Sequence, residues 1–227
     1  MATKKEQQDH RVRVAAEKRR KMKARLLDAV LQCCTADAEF TIPSAEQVCR
    51  QAEVSRATFY AHFDSVAAAV EELGEAQLEA MVQDLSTMFE DSSPVERITM
   101  GLNLFLMRGA TDPAWARFVA RVVQINPATD FAKNVRTDIQ NASDAGEIDI
   151  ANVDAAVSVA LGSLFEGIRH LHLTGEVQRD YVEKLTAMVL QALGVEPETA
   201  DRTVRQQSIR IRGMAPDFVD WWRDPWA

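Results

Sequence analysis

Between Ser55 and His62 the chain gathers two hydroxyls, a guanidinium, a phenol and an imidazole, in the stretch EVSRATFYAHF. Those groups share one kind of chemistry: they donate hydrogen bonds to phosphates and to base edges. Phe59 stands four residues after Ser55 and four before Phe63. On a helix both rings therefore fall on one side and serve as core. Arg56, Ala57, Thr58, Tyr60 and His62 are left for the other faces. A helix that begins with small and polar residues can enter a major groove closely, while phenol and imidazole reach the backbone beside it.

Such a helix must be held by others. RRKMKARLLDAVLQCC sets Leu27, Val30, Leu31 and Cys34 at spacings of three and four, which predicts an amphipathic first helix. SAEQVCRQA opens on Ser44 with Gln47 three residues later, a capping-box pattern, and puts Ala45, Val48, Cys49 and Ala52 on one face. Ser55 can then cap a third helix through Phe59 and Tyr60. Two short helices joined by a tight turn make a helix-turn-helix.

At AEVSRATFYAHF, residues 52–63, the sequence resembles the tetracycline-repressor family of bacterial regulators, whose shared pattern is A-G-V-S-x-x-T-x-Y-x-H-F. The likeness covers roughly residues 20–75. It implies that Arg56, Ala57 and Thr58 face bases or the adjoining sugar-phosphate, and that Ser55, Tyr60 and His62 touch phosphates. Ser44, at the start of the second helix, is grouped with them. Two positions depart from the pattern: Glu53 replaces the turn glycine, and DSVAAAV, after His62-Phe63, lacks the lysine often found there. The basic run KRRKMKAR, with Lys18, Arg19, Arg20, Lys21 and Lys23, can supply phosphate contacts instead.

Charge is distributed accordingly. The net charge is −8, but residues 1–25 hold ten Lys or Arg against Glu6, Asp9 and Glu17, a local +7. A basic end on an acidic body suits a polyanionic partner at that end, and also suits a solvated tail.

Beyond residue 64 the pattern stays helical. DSVAAAVEELGEAQLEAMVQDLSTMF predicts a long fourth helix, and Ser93, Pro94 and Glu96 supply the N-cap, N1 proline and capping-box acid of the next. Further starts fall at Asp112-Pro113, at Asn126-Pro127 (ending near Gly146) and at Asp149 (closed by Thr174-Gly175), and VQRDYVEKLTAMVLQAL ends at Gly194. The expected architecture is all-α with about nine helices. It comprises a basic arm and helix-turn-helix DNA-binding domain at 1–64, a helical ligand-binding and dimerisation domain at 65–195, and a C-terminal tail at 196–227.

The resemblance implies that the helices near 150–173 and 177–193 pack against their copies in a homodimer. Internal core is the alternative reading of their apolar stripes. The middle helices would enclose a cavity for a small, largely apolar effector. Phe105, Met107, Trp115, Phe118, Val122, Phe131 and Phe165 are its candidate lining, with Arg108, Arg117, Arg121, Asn126 and His170 as orienting polar groups. The expected function is a repressing regulator that is released from a near-palindromic double-stranded DNA operator by that effector.

Other classes leave weaker marks. The longest charge-free apolar stretches are about half of what a bilayer crossing needs, and the amino terminus has no secretory h-region, so a cytoplasmic protein is expected. Cys33, Cys34 and Cys49 lie in helical patterns and suit reduced thiols. The four histidines form no metal-ligand spacing, and HExxH, paired CxxC, a phosphate loop and GxSxG are all missing. No cofactor, and no enzyme, is expected; a cysteine nucleophile is the remote alternative. The nearer one is a DNA-binding scaffold without a small-molecule inducer, acting through a protein partner, because Trp221, Trp222 and Trp226 crowd DFVDWWRDPWA.

Overall fold

Helix starts in this chain are written in side chains that can accept from the first free backbone N–H groups. Ser44, Ser55, Ser93, Thr129, Asn152 and Glu196 each cap a helix in that way. The computed structural model describes residues 4–36, 41–89, 91–122, 128–175 and 179–226, with side chains from residue 13 onward. Among the described residues there are ten helices and no strand: α1 (Lys4–Thr35), α2 (Ala45–Gln51), α3 (Arg56–Tyr60), α4 (Val66–Met88), α5 (Pro94–Thr111), α6 (Pro113–Val122), α7 (Asp130–Asp144), α8 (Val153–Thr174), α9 (Arg179–Ala192) and α10 (Pro197–Phe218). They group into two compact units, Met1–Leu73 and Gly74–Ala227, and the division falls inside α4.

In the first unit, Leu26, Ala29, Val30 and Cys34 of α1 are buried together with Val48, Cys49 and Ala52 of α2 and with Phe59 and Phe63. The buried stripe of α1 is thus turned from the expected one: Leu27 and Leu31 are only half-buried. Small Ala29 sits within it, where α1 packs on α2.

The turn between α2 and α3 is a Schellman closure. The Glu53 N–H donates to the Arg50 carbonyl at 3.2 Å and the Val54 N–H to the Cys49 carbonyl at 2.9 Å. That closure needs a left-handed residue, and Glu53 supplies it at φ 52°, without glycine's freedom. Its carboxylate is held out in solvent by Arg25 at 3.1 Å.

The second unit is built around α5, where burial is continuous over Ile98–Met100 and Leu102–Met107. Helices α6, α7, α8, α9 and α10 all pack on it. Three helix boundaries differ from the sequence reading. Helix α7 is capped by Thr129 rather than starting at Asn126-Pro127, which lie outside the described residues. Helix α8 is capped by Asn152, whose Oδ1 accepts from the Ala155 N–H at 2.9 Å, rather than by Asp149. Asp149 instead pairs its backbone N–H with the Leu193 carbonyl at 3.1 Å. That pairing brings it against Gly194, where an added Cβ would lie 2.4 Å from the Asp149 carbonyl oxygen.

The third difference is α10, in the segment expected as a tail. It opens on Glu196 and Pro197, and ties to the start of α5: Gln207 donates to Glu96 at 2.9 Å and Arg210 to the Ser92 hydroxyl at 2.9 Å. The residues after it fold back on the same unit. Trp221 stands over the Arg108 guanidinium at 4.7 Å, opposite Trp115 at the same distance, and its indole N–H donates to Asp84 at 3.4 Å. Arg179 and Arg212 lie over the Trp226 ring at 5.4 and 5.8 Å. Two of the three tryptophans that suggested a partner surface thus hold arginines of their own unit.

Two backbone positions give testable consequences. Gly194→Ala meets both a left-handed φ of 88° and the Asp149 backbone, and should lower stability by about 3 kcal/mol in urea unfolding. Glu53→Gly should do the opposite. It relieves left-handed strain of about 1–2 kcal/mol, less glycine's entropy and one exposed ion pair, leaving a net gain of about 0.5–1 kcal/mol in the same measurement.

Candidate nucleic-acid interface and ligand cavity

Helix α3 has five residues, too few to be stable alone, so its position is set by its cap and its anchor. The Ser55 hydroxyl accepts from the Thr58 N–H at 3.1 Å and also bonds the Thr58 hydroxyl at 2.9 Å. Phe59 is 0% exposed and packs on Phe63 with centroids 5.6 Å apart. With that side committed, Arg56, Ala57 and Tyr60 stand exposed, Tyr60 at 48%, its ring edge-on to Phe59. Thr58 and His62 are half-buried, and the Nδ1 of His62 has no hydrogen-bond partner among the described residues. Ser44 closes its capping box with Gln47 and is exposed.

The five candidate cations divide. Lys18, Arg19 and Arg20 are exposed and make no ion pair among the described residues. Lys21 is paired with Glu17 at 2.8 Å. Lys23 is paired with Glu72 at 2.5 Å and lies over the Phe63 ring at 5.4 Å, so its charge is already engaged within the first unit.

In the second unit a cavity of about 460 Å³ opens between α4, α5, α7 and α8. Of the candidate lining residues, Phe105 and Phe131 reach it, with ring centroids 5.3 Å apart. Phe165 packs behind Phe131 at 6.2 Å and Trp115 behind Phe105 at 6.2 Å. Phe118 and Met107 are core. Val122 is half-buried, and Arg121 is exposed. Arg117, half-buried, does not line the cavity. His170 is exposed and stacks on Tyr181 at 4.5 Å. Arg108 is held between Trp115 and Trp221, and burial brings its pKa down to about 10 despite Asp112 and Asp84 nearby. Asn126 is outside the described residues.

The walls missed from sequence lie one and two turns before Phe105 and after Phe131. Ile98 and Leu102 precede Phe105 on α5, and Val135 and Asp138 follow Phe131 on α7, at spacings of three, four and seven. That periodicity was present and marks shared helix faces. Val82 and Leu85 of α4, with Phe89 just past its end, form the third wall. The principal polar feature is an ion pair: the Arg97 Nε donates to Asp138 Oδ1 at 2.8 Å, and the Arg97 Nη1 donates to the Ser92 carbonyl at 2.8 Å. A second hollow of about 260 Å³, edged by Glu75, Glu79 and Asp130, shares Phe131 with the first.

For other chemistry the described residues offer little. No group of three or more His, Cys, Asp or Glu among them could hold a metal ion, and no helix among them is long and apolar enough to cross a membrane. Burial raises the Cys33 thiol and pushes Cys34 up to about 11, which makes the thiolate scarce at neutral pH.

Comparison with known proteins agrees with this architecture. Residues 93–206 match the family described as tetracyclin repressor-like, C-terminal domain. Among solved structures, the regulator RolR in complex with resorcinol superposes with a TM-score of 0.66 at 19% identity, covering 83% of this chain and 95% of its own. A tetR family transcription regulator from Shewanella sp. PV-4 superposes at 0.62 with 15% identity, covering 77% and 99%. The regulator FadR from Bacillus subtilis in complex with stearoyl-CoA superposes at 0.55 with 15% identity, covering 77% and 98%. No curated protein sequence matches the chain significantly. With half of its length matched and the all-helical fold shared, the chain belongs to the tetracycline-repressor family.

Proposed function

We propose that the chain is a transcriptional regulator that binds a near-palindromic operator as a homodimer through α3, represses there, and leaves when a small, largely apolar molecule fills the cavity of the second unit. The observation that carries this is the division of labour on α3. Phe59 anchors the helix while Arg56, Ala57 and Tyr60 stand free behind a serine cap. Exposed Lys18, Arg19 and Arg20 supply the phosphate-neutralising charge.

Dimerisation is supported by apolar side chains that α8 and α9 leave in solvent: Leu173 at 60%, Met188 at 64% and Val159 at 42%. A two-fold pair would present two copies of α3 to consecutive half-sites. The size of the cavity favours a compact effector of the scale of the resorcinol bound by RolR over an acyl-CoA such as the one bound by FadR. Helix α4 carries cavity wall at Val82 and Leu85, and by chain continuity carries the first unit at its start. An effector that prefers one placement of α4 then shifts the population away from the spacing the operator requires.

Selection from a randomised duplex pool at two salt concentrations should enrich an inverted repeat. Its affinity should fall steeply with salt, by about 0.9 in logarithmic slope for each phosphate neutralised, and Arg56→Ala should abolish enrichment. An unenriched pool rejects the proposal. Tyr60→Phe should weaken all duplexes alike, by about tenfold or less, whereas Thr58→Ala should also change which base is preferred in the selected site; equal effects on every sequence would refute that assignment.

A further inference from the structure

We propose that the molecule held by the cavity is uncharged, has on the order of 15 non-hydrogen atoms, and meets the Arg97–Asp138 pair with a hydroxyl group, the size following from about 30 Å³ for each water-sized group in about 460 Å³. This rests on the cavity being the effector site.

The class follows from charge and from hydrogen-bond valence. Both members of the pair line the cavity, one from α5 and one from α7, and each is about 31% exposed. Their charges cancel. A carboxylate arriving at Arg97 would have to displace Asp138 or lie beside it, leaving two anions on one guanidinium in a largely apolar chamber. An ammonium arriving at Asp138 would meet Arg97 in the same way. The neighbouring hollow adds to the bias against anions. Glu75, Glu79 and Asp130 edge it, Lys133 pairs with Asp130 at 2.7 Å and with no other carboxylate among the described residues, and Phe131 is the ring common to both spaces.

The pair also has a defined remainder. Arg97 uses Nε on Asp138 and Nη1 on the Ser92 carbonyl, and Asp138 uses Oδ1. Among the described residues Nη2 and Oδ2 make no hydrogen bond. That leaves three N–H groups on a guanidinium already fixed at two corners, two of them on Nη2, and an acceptor oxygen on the carboxylate paired with it. A hydroxyl accepts from such an N–H and donates to that oxygen, whereas a ketone, ether or ester oxygen answers only the N–H. The rest of the chamber is mostly apolar, with Val82, Leu85, Ile98, Leu102, Phe105 and Phe131, and carries Gln83, Ser86, Asn134 and Thr137 as its remaining polar lining. A fused aromatic alcohol therefore fits in both size and valence.

Isothermal titration of the full chain with β-naphthol, naphthalene and β-naphthoate tests this. β-Naphthol should bind at least about tenfold more tightly than either of the others, the difference expected of hydrogen bonds to charged groups. Asp138→Asn should remove most of that advantage while leaving naphthalene unchanged. The paired change Arg97→Leu with Asp138→Leu should abolish the preference and keep naphthalene, which separates loss of recognition from loss of folding. Leu102→Trp, which fills the chamber, should weaken all three. Tighter binding of β-naphthoate, equal binding of β-naphthol and naphthalene, binding that survives Leu102→Trp, or no binding of any probe would each overturn the inference. If β-naphthol binds as expected but leaves occupancy of the selected operator unchanged, the recognition chemistry stands and the effector reading fails.

Discussion

Helix α5 carries apolar side chains on every face, so it can exist only with helices on every side. The remainder of the second unit satisfies that condition, with α6 to α10 arranged around it. Its start is the point of greatest polar demand, because the first backbone N–H groups of a buried helix have no intrahelical acceptor. Ser93 and Glu96 answer part of that demand through a capping box, and Glu147 accepts from the Val95 N–H at 2.8 Å and from the Ser93 hydroxyl at 3.1 Å. Gln207 and Arg210 of α10 then close over Glu96 and Ser92. The Ser92 carbonyl also orients Arg97, so the polar pair in the cavity wall is fixed by the same cluster that starts the central helix.

What the sequence made legible was whatever is decided within one turn of helix. Ser44, Ser55 and Ser93 act as caps because the geometry they need spans three residues. Phe59 is core because it falls on the buried side of the helix that Ser55 opens. The left-handed position at Glu53 was readable from the resemblance, whose pattern carries a glycine there. Where two candidate caps stood close together, local reasoning chose by residue type. Asp149 is as good a cap in isolation as Asn152, but the helix begins only at Val153, while the Asp149 N–H is taken by the Leu193 carbonyl.

Helix α10 escaped because its buried stripe is broken by polar residues. Ala200, Val204, Ile211 and Ala215 are buried at helical spacing, with Gln207 and Ser208 buried between them. A glutamine at such a position reads as solvent-facing unless its partner is known, and Glu96 is 111 residues away in sequence. The cavity was half legible for a related reason. Phe105 and Phe131 were found by type, but which neighbours share their chamber depends on how α4, α5 and α7 are rotated against each other. Arg97 and Asp138, 41 positions apart in sequence, become a pair only through that packing.

The wall that α4 contributes is constrained from more than one side. Val82 and Leu85, with Phe89 just past the end of the helix, line the cavity, while Asp84 accepts from the Trp221 indole N–H and Arg210 lies over Phe89 at 6.0 Å. Trp221 is in turn seated on Arg108, whose guanidinium is desolvated between two indoles. A displacement of α4 that accommodates a larger occupant therefore disturbs contacts worth about 1–2 kcal/mol each when desolvated, spread over α5, α6, α10 and the segment after it. The stiffness of this wall sets how much differential affinity an occupant must supply before α4 moves, because a ligand shifts a conformational equilibrium only by what it gains in one state over the other.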